Sequence, residues 1–278
     1  MNRKVLGWNI NQRSGLGKEI PEFVLQELLE QDADVIVLTE VVKNDSLSVF
    51  LQKMHEAGYE SAISQNGNAN ENINEVCILW KKDLYQKVSD CDWLISAQDN
   101  DNPNYLMVRL RDSEGKEFNV VGYRIRVGRY YYKDKREYEF RARQMEIVTE
   151  KLAALKGSTM VVTDSNNLCR GTRRKEWNLS VLDSMLSAVG FIRNTPEGSS
   201  IYEEIAASPE DEFAEDHIIT KGIEITDAEY DRDFVKRDTD VYIWGKDFKK
   251  HIEGASNYNQ IQVGFPDHAI IKGYFECR

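Results

Sequence analysis

The chain of 278 residues is 41% hydrophobic and 30% charged, a balance that supports a self-sufficient core and excludes wholesale disorder. Its longest apolar run, 76–80, is far shorter than the ~20 residues that span a bilayer, so no membrane helix is expected. A net charge of −11 opposes indiscriminate adhesion to nucleic acid or anionic lipid.

Short β-rich runs bounded by turn residues predict strands, and apolar residues at helical spacing predict helices. Strands are expected at 4–10 and 34–39, separated by a helix over 21–30 in which Pro21 suits the first helical position and Phe23, Val24, Leu28 and Leu29 share a face. Strands follow at 75–80, 105–110 and 118–127, and Asp112-Ser113-Glu114-Gly115 between the last two reads as a hairpin loop. Phe140, Ile147, Val148, Leu152 and Leu155 mark a helix over 137–155, which leads to a strand at 159–163 and a helix over 176–189. The remaining strands are expected at 217–220, 241–244 and 268–274. With five prolines, no fixed-period repeat and no low-complexity linker, residues 1–278 read as one domain of mixed sheets covered by helices. Cys77, Cys91, Cys169 and Cys277 stand far apart with no C-x-x-C pair, which suggests neither a disulfide framework nor structural zinc. The N-terminal stretch lacks the apolar region of a secretory signal, so a cytoplasmic location is expected.

Polar residues gather at strand termini. Asn9 and Asn11 close the first strand, Glu40 closes the second, and Asp164 with Asn166 closes the strand at 159–163. Asp216 opens the run at 217–220, while Asp267 and His268 open 269–271. If the last two strands run antiparallel to the first three, all these residues meet at one sheet edge. Oxygen donors with a single histidine and no thiolate suit Mg²⁺ or Mn²⁺, and a divalent cation would let crowded carboxylates stay ionised together. Taken singly, an Asp or Asn at a strand end is an ordinary turn former; a glutamate such as Glu40 is not. His217 alternates to the face opposite Asp216 and reads as structural.

Trp8-Asn9-Ile10-Asn11, Leu38-Thr39-Glu40, 163–167 (TDSNN), 215–219 (EDHII) and 266–271 (PDHAII) together resemble the ordered motifs of the endonuclease/exonuclease/phosphatase superfamily, the deoxyribonuclease I-like fold. The likeness runs from residue 4 to residue 274. It implies a four-layer α/β/β/α sandwich of two mixed, largely antiparallel sheets flanked by helices. It also implies Glu40 as the principal metal ligand, with Asn11 near the metal and Asp267 in or beside its ligand shell. Asn9 would hold Asp164 or the phosphate, Asp164 would orient or deprotonate the attacking water, and Asn166 would donate to the scissile phosphate. His268 would donate to a phosphate oxygen, oriented and kept cationic by Asp216.

One position departs from the pattern. Many relatives place a His or Tyr against the scissile phosphate at the end of the strand written here 119–126, NVVGYRIR. Alternation puts Arg124 and Arg126 on one face and Tyr123 on the other, so Arg124 is the expected replacement and Tyr123 the second candidate. An arginine binds phosphate bidentately but is no general acid.

Charge is unevenly distributed. Residues 124–143 carry eight Lys/Arg against three Asp/Glu, and the aromatic-basic run 129–136 suits either a sugar-phosphate surface or a solvated helix start. Arg170 and Arg173 follow Asp164 and would reach phosphates beside the metal. Residues 203–233 carry twelve acids against two bases and read as a solvated excursion.

The expected function is therefore Mg²⁺-dependent hydrolysis of a phosphodiester by in-line attack of activated water, most plainly in nucleic acid and without an evident obligate protein partner. The alternatives are a phosphatase or phosphodiesterase of small molecules, such as inositol phosphates or nucleotides, and a catalytically silent nucleic-acid-binding module.

Overall fold

The computed structural model describes residues 3–12, 19–65, 73–96, 100–131, 134–167, 176–201, 213–237, 240–243 and 266–277. In chain order the elements are β1 (Arg3–Asn9), α1 (Glu22–Gln31), β2 (Val35–Val41), α2 (Asp45–Glu56), β3 (Tyr59–Ile63), β4 (Glu75–Lys81), β5 (Tyr85–Lys87), β6 (Asp92–Trp93), β7 (Asn104–Asp112), β8 (Glu117–Arg124), α3 (Lys135–Ala154), β9 (Ser158–Asp164), α4 (Leu179–Ala188), β10 (Ile192–Asn194), β11 (Asp216–Lys221), β12 (Ile223–Asp231), β13 (Asp233–Arg237), β14 (Asp240–Ile243) and β15 (Ile270–Cys277).

One sheet has the order β12-β15-β1-β2-β4-β3; the second has β10-β11-β9-β8-β7-β5, with β6 on β7; β13 and β14 form a separate ribbon. Both large sheets are mixed: β1 runs parallel to β2 and β8 parallel to β9, and the other pairings within them are antiparallel.

Strand alternation sorts apolar side chains into three cores and so produces four layers. Val5, Val35, Val37, Ile78, Val120, Val162 and Ile218 pack between the sheets. Their neighbours Leu6, Ile36, Leu38 and Leu79 face the other way, onto Phe23, Val24 and Leu28 of α1 and Leu47, Phe50 and Met54 of α2. On the far side, Val121, Val161 and Ile219 pack against Met145, Val148 and Leu152 of α3 and Leu182 and Leu186 of α4. This is the expected four-layer sandwich.

The sheets approach closely where side chains are missing. A Cβ on Gly122 would lie 2.5 Å from Val76 Cγ1 and 2.7 Å from Val37 Cγ1 across the interface. We expect Gly122→Ala to destabilise the fold by about 1–3 kcal/mol through forced displacement of those valines, read as a lower urea midpoint with unchanged m-value.

Several boundaries differ from the sequence reading. Pro21 is the extended N-cap of α1 rather than its first helical residue. The strand expected over 118–127 ends at Arg124, after which Gln144 of α3 takes over both backbone groups of Arg126. The acidic stretch is not wholly an excursion: 223–231 forms β12 on the edge of the first sheet, where Ile223 and Tyr230 are buried. Helix α2, unforeseen, begins at Asn44, whose side chain accepts a hydrogen bond from Leu47 N at 3.0 Å. Among the described residues no helix is long and apolar enough to cross a membrane.

Candidate active site

The ends of β1, β2, β8 and β9 and the beginnings of β11 and β15 meet at one mouth of the cleft between the sheets. On the second sheet, register places Arg124 beside Asp164 and Asp164 beside Asp216, a row across β8, β9 and β11. Alternation aims this row at the cleft, because Val120, Val162 and Ile218 on the same strands have the same parity. Asn9 lies opposite on β1, and its Nδ2 donates to Asp164 Oδ2 at 3.0 Å. The Asn9 side-chain Oδ1 accepts from Asn11 N at 3.0 Å, which turns the chain out of the strand.

Glu40 reaches the pocket against alternation. On β2 the even positions Ile36 and Leu38 face the helices, yet the register with β4 shifts between Leu38 and Val41 and Glu40 adopts a left-handed φ of 57°. Such a bulge re-aims a side chain at a cost of about 1–3 kcal/mol, which the surroundings must offset. Ile10 N and Gln12 N donate to the carbonyls of Thr39 and Glu40 at 3.2 and 3.1 Å, and Gln12 bonds both backbone groups of Val42. Asn11 and Asn166 are also left-handed, with φ of 49° and 47°.

Arg124 spans the two sheets. Its Nη2 lies 2.5 Å from Glu40 Oε1, and its Nε lies 3.3 Å from Asp164 Oδ2. Asn166 N donates to Asp164 Oδ1 at 3.0 Å and Asn166 Nδ2 to the carbonyl of Ile125 at 2.9 Å. His268 stands at the start of β15, where its carbonyl accepts from Trp8 Nε1 at 3.0 Å and its Nδ1 meets Asp216 Oδ2 at 2.8 Å. Desolvation, the largest single influence, would lower the His268 pKa, but the charges of Asp216, Asp164 and Asp267 and the Asp216 hydrogen bond together hold the imidazole well above its usual value.

Glu215 was not singled out from sequence and belongs to this pocket. One of its carboxylate oxygens, one of Asp164 and a ring nitrogen of His268 lie within 4.8 Å of one another. Burial pushes its carboxyl up to about 8, with Asp164 the strongest charged contributor. Burial raises Asp164 to about 6, with His268 and Arg124 opposing and Asp216 and Glu40 adding. Desolvation also raises Asp267, and the negative charge of Glu40 adds to it. Glu215 Oε1 is buried without a hydrogen-bond partner among the described residues. An orphaned carboxylate oxygen within an excess of carboxylates over cations fits a hard divalent cation.

No family model matches the chain, and neither does any curated protein. Solved structures do. An endonuclease/exonuclease/phosphatase family protein from Bacteroides thetaiotaomicron matches with a TM-score of 0.61 at 14% identity, over 99% of this chain and 97% of that one. The chain has the endonuclease/exonuclease/phosphatase fold. TDP2 of D. rerio, complexed with a single-strand DNA product, matches at TM-score 0.62 and 12% identity over 99% of each chain. A mannosyl-6-phosphatase of Bacteroides thetaiotaomicron matches at 0.61 and 14%, also over 99% of each.

Within the endonuclease/exonuclease/phosphatase fold, two residues expected at the substrate lie elsewhere. Tyr123 faces the helical layer, fully buried, with its hydroxyl 3.2 Å from Ser165 Oγ; it buttresses the Asp164 loop from behind. Arg126 lies beyond the end of β8, where alternation no longer holds. Its guanidinium donates to the carbonyls of Ser96 and Asn100 at 2.6 and 2.5 Å and sits 5.8 Å from the Phe140 ring. Arg170 and Arg173 lie outside the described residues. His217 is held by Thr195 and Asn167 on the opposite face from Asp216, a structural position.

The described bases of the run beyond Arg126 are engaged within the protein. Arg129 and Arg143 share Asp101, Arg136 pairs with Asp134, Lys135 with Glu139, and buried Arg141 with Glu137. Three polar residues on the inner face of α3 brace the site from behind. Glu137 accepts from Gly128 N and Tyr130 N, Arg141 donates to the carbonyl of Asn166 at 2.9 Å, and Gln144 clasps Arg126. Trp177 Nε1 bonds the carbonyls of Ser165 and Asn166, both at 3.1 Å. Glu137, Arg141 and Gln144 have i, i+4, i+7 spacing, so sequence could have flagged them as polar residues sharing one helix face.

Proposed function

We propose that the chain hydrolyses phosphodiester bonds with the help of Mg²⁺, for which Mn²⁺ is a substitute. The observation carrying this reading is the meeting of Glu40, Asp164 and the Asp216-His268 pair around one pocket of hard oxygen donors, joined by contacts of 2.5–3.3 Å through Arg124, Asn9 and Asp216.

Glu40, Asn11 and Asp267 would hold the cation, with Asp164 and Glu215 adjoining. When bound, it neutralises phosphate oxygens and lowers the pKa of water. Asp164, fixed by Asn9 and the Asn166 N–H, orients the attacking water and takes its proton; a carboxyl raised to about 6 is suited to that exchange near neutral pH. His268 cannot be both ligand and proton donor. Its raised pKa favours the cationic donor, with Nδ1 on Asp216 and Nε2 toward a phosphate oxygen. Asn166 and Arg124 add a hydrogen bond and a positive charge to the same phosphate.

Nucleic acid is the first substrate class, in keeping with the motif order of the sequence. A second reading, a small phosphate ester, is favoured by one observation: Arg129, Lys135, Arg136, Arg141 and Arg143 of the basic run already have acidic partners in the chain. Mg²⁺-dependent cleavage of bis-p-nitrophenyl phosphate should fall at least about 100-fold in Glu40→Ala and in His268→Ala. Undiminished turnover in both variants would remove the site assignment. Profiling oligonucleotides against nucleotides and inositol phosphates then separates the substrate classes, and oligonucleotide binding without any turnover would instead favour the silent module.

A further inference from the structure

The cleft carries one feature that the proposed reaction does not account for. Glu40, the expected principal cation ligand, already has a positive partner: Arg124 Nη2 stands 2.5 Å from its Oε1, while the Arg124 Nε sits 3.3 Å from Asp164. Both partners are buried, with Arg124 at 8% and Glu40 at 9% exposure, so solvent screens the pair poorly. The guanidinium is shared between one carboxylate from each sheet. Its Nε, although within ion-pair distance of Asp164, makes no hydrogen bond, so this end of the fork is not locked.

We infer that Arg124 is a built-in competitor for the divalent cation at Glu40, so that cation loading requires the guanidinium to give up that carboxylate. A single charge cannot be balanced twice by the same oxygen, and a guanidinium and a divalent cation a few ångströms apart repel strongly in a poorly screened cleft. Cation affinity is thereby weakened, and the guanidinium released from Glu40 remains next to Asp164, positive and free to meet the substrate phosphate. Arg124 thus acts on the cation as a positioning residue, through Glu40. The inference rests on the reading of this cleft as a cation-assisted phosphoester site, but its test does not need turnover.

Mn²⁺ binding to the full chain, followed by loss of the free-ion EPR signal, should tighten at least tenfold in Arg124→Met, which removes the charge without adding a hard ligand. Arg124→Lys, which keeps the charge and loses the planar fork, should stay within about threefold of the parent chain. Equal or weaker binding in Arg124→Met overturns the inference. So does a tenfold tightening in the lysine variant, because the charge would then not be the competitor. Should the methionine variant fail to fold, the parent chain still decides: its Arg124 Nε–H NMR resonance, identified by its loss in Arg124→Lys, should move during Mg²⁺ titration. A resonance unmoved at saturating Mg²⁺ refutes displacement. Tightened Mn²⁺ binding in the variant, with no phosphoester hydrolysed by the parent chain, would fail the proposed function and leave this inference standing; unchanged binding in the variant, with Mg²⁺-dependent turnover by the parent chain, would do the reverse.

Discussion

His268→Gln should lower kcat by about 10²- to 10⁴-fold, the range expected when a positioned proton donor is lost. Asp216→Asn should act through the same imidazole in a distinguishable way. The carboxylate at 2.8 Å raises the His268 pKa, so removing its charge lets the imidazole lose its proton at lower pH. The alkaline fall of kcat/KM should therefore move to lower pH in Asp216→Asn, and the acid side, governed by Asp164, should move the same way by less, because Asp216 is a smaller contributor there. A profile that keeps its alkaline limb in place would show that Asp216 does not set the charge of His268. The backbone of Asp216 is itself pinned, with its carbonyl accepting from Tyr230 at 2.6 Å, so the amide substitution should leave the fold standing.

Glu215→Gln should make the protein more stable at high pH. The Glu215 carboxyl is raised to about 8 and that of Asp164 to about 6, both above the usual carboxylate range. A carboxyl whose folded pKa exceeds its unfolded one binds its proton more tightly in the folded state. Its contribution is fully present below the unfolded pKa and is lost as pH rises through the folded value. For Glu215 the window runs from roughly pH 4 to 8. His268 works in the same direction, its extra stability being lost as pH rises through its own raised pKa. An amide cannot ionise, so the variant should match the parent at pH 5 and exceed it at pH 9 by about 5 °C or more in melting temperature, corresponding to a few kcal/mol. Saturating Mg²⁺ should shrink the gap, because a cation supplies the charge the proton no longer does. A gap independent of pH would mean that Glu215 does not ionise in the cleft.

The sequence exposed the architecture wherever alternation was regular. Along β1, β2, β9 and β11 the turn residues fall where apolar alternation stops, so Asn9, Asp164 and Asp216 could be placed at strand ends before any coordinates. Glu40 was found by its unsuitability for a turn, although the bulge that swings it into the cleft leaves no mark in period-two spacing. Glu215 escaped because it precedes β11 by one residue: alternation assigns it the face of His217, and the rule lapses outside the ladder. Arg126 and Tyr123 failed for related reasons. The first was assigned to a strand that ends two residues earlier, and the second has the parity of the helical layer, which sequence alone could not tell from the cleft. Strand β12 was hidden by its acids, which suit a solvent-facing edge strand as well as a loop. Helix α2 was simply not read, although Leu47, Phe50, Leu51 and Met54 have its period.

The pairing of β1 with β15 has a consequence for synthesis. Trp8 and His268, bonded through the indole, are separated by 260 positions, and β15 fills the place between β1 and β12. While the ribosome is still adding residues, β1 has a bare flank, and the cleft has Glu40, Asp164, Glu215 and Asp216 without Asp267 and the imidazole. A nascent chain released early should be inert and prone to adhere along that flank. On the proposed function, hydrolytic competence would then arrive only with translation of the segment that also seals the sheet, so activity would switch on when the weakest seam closes.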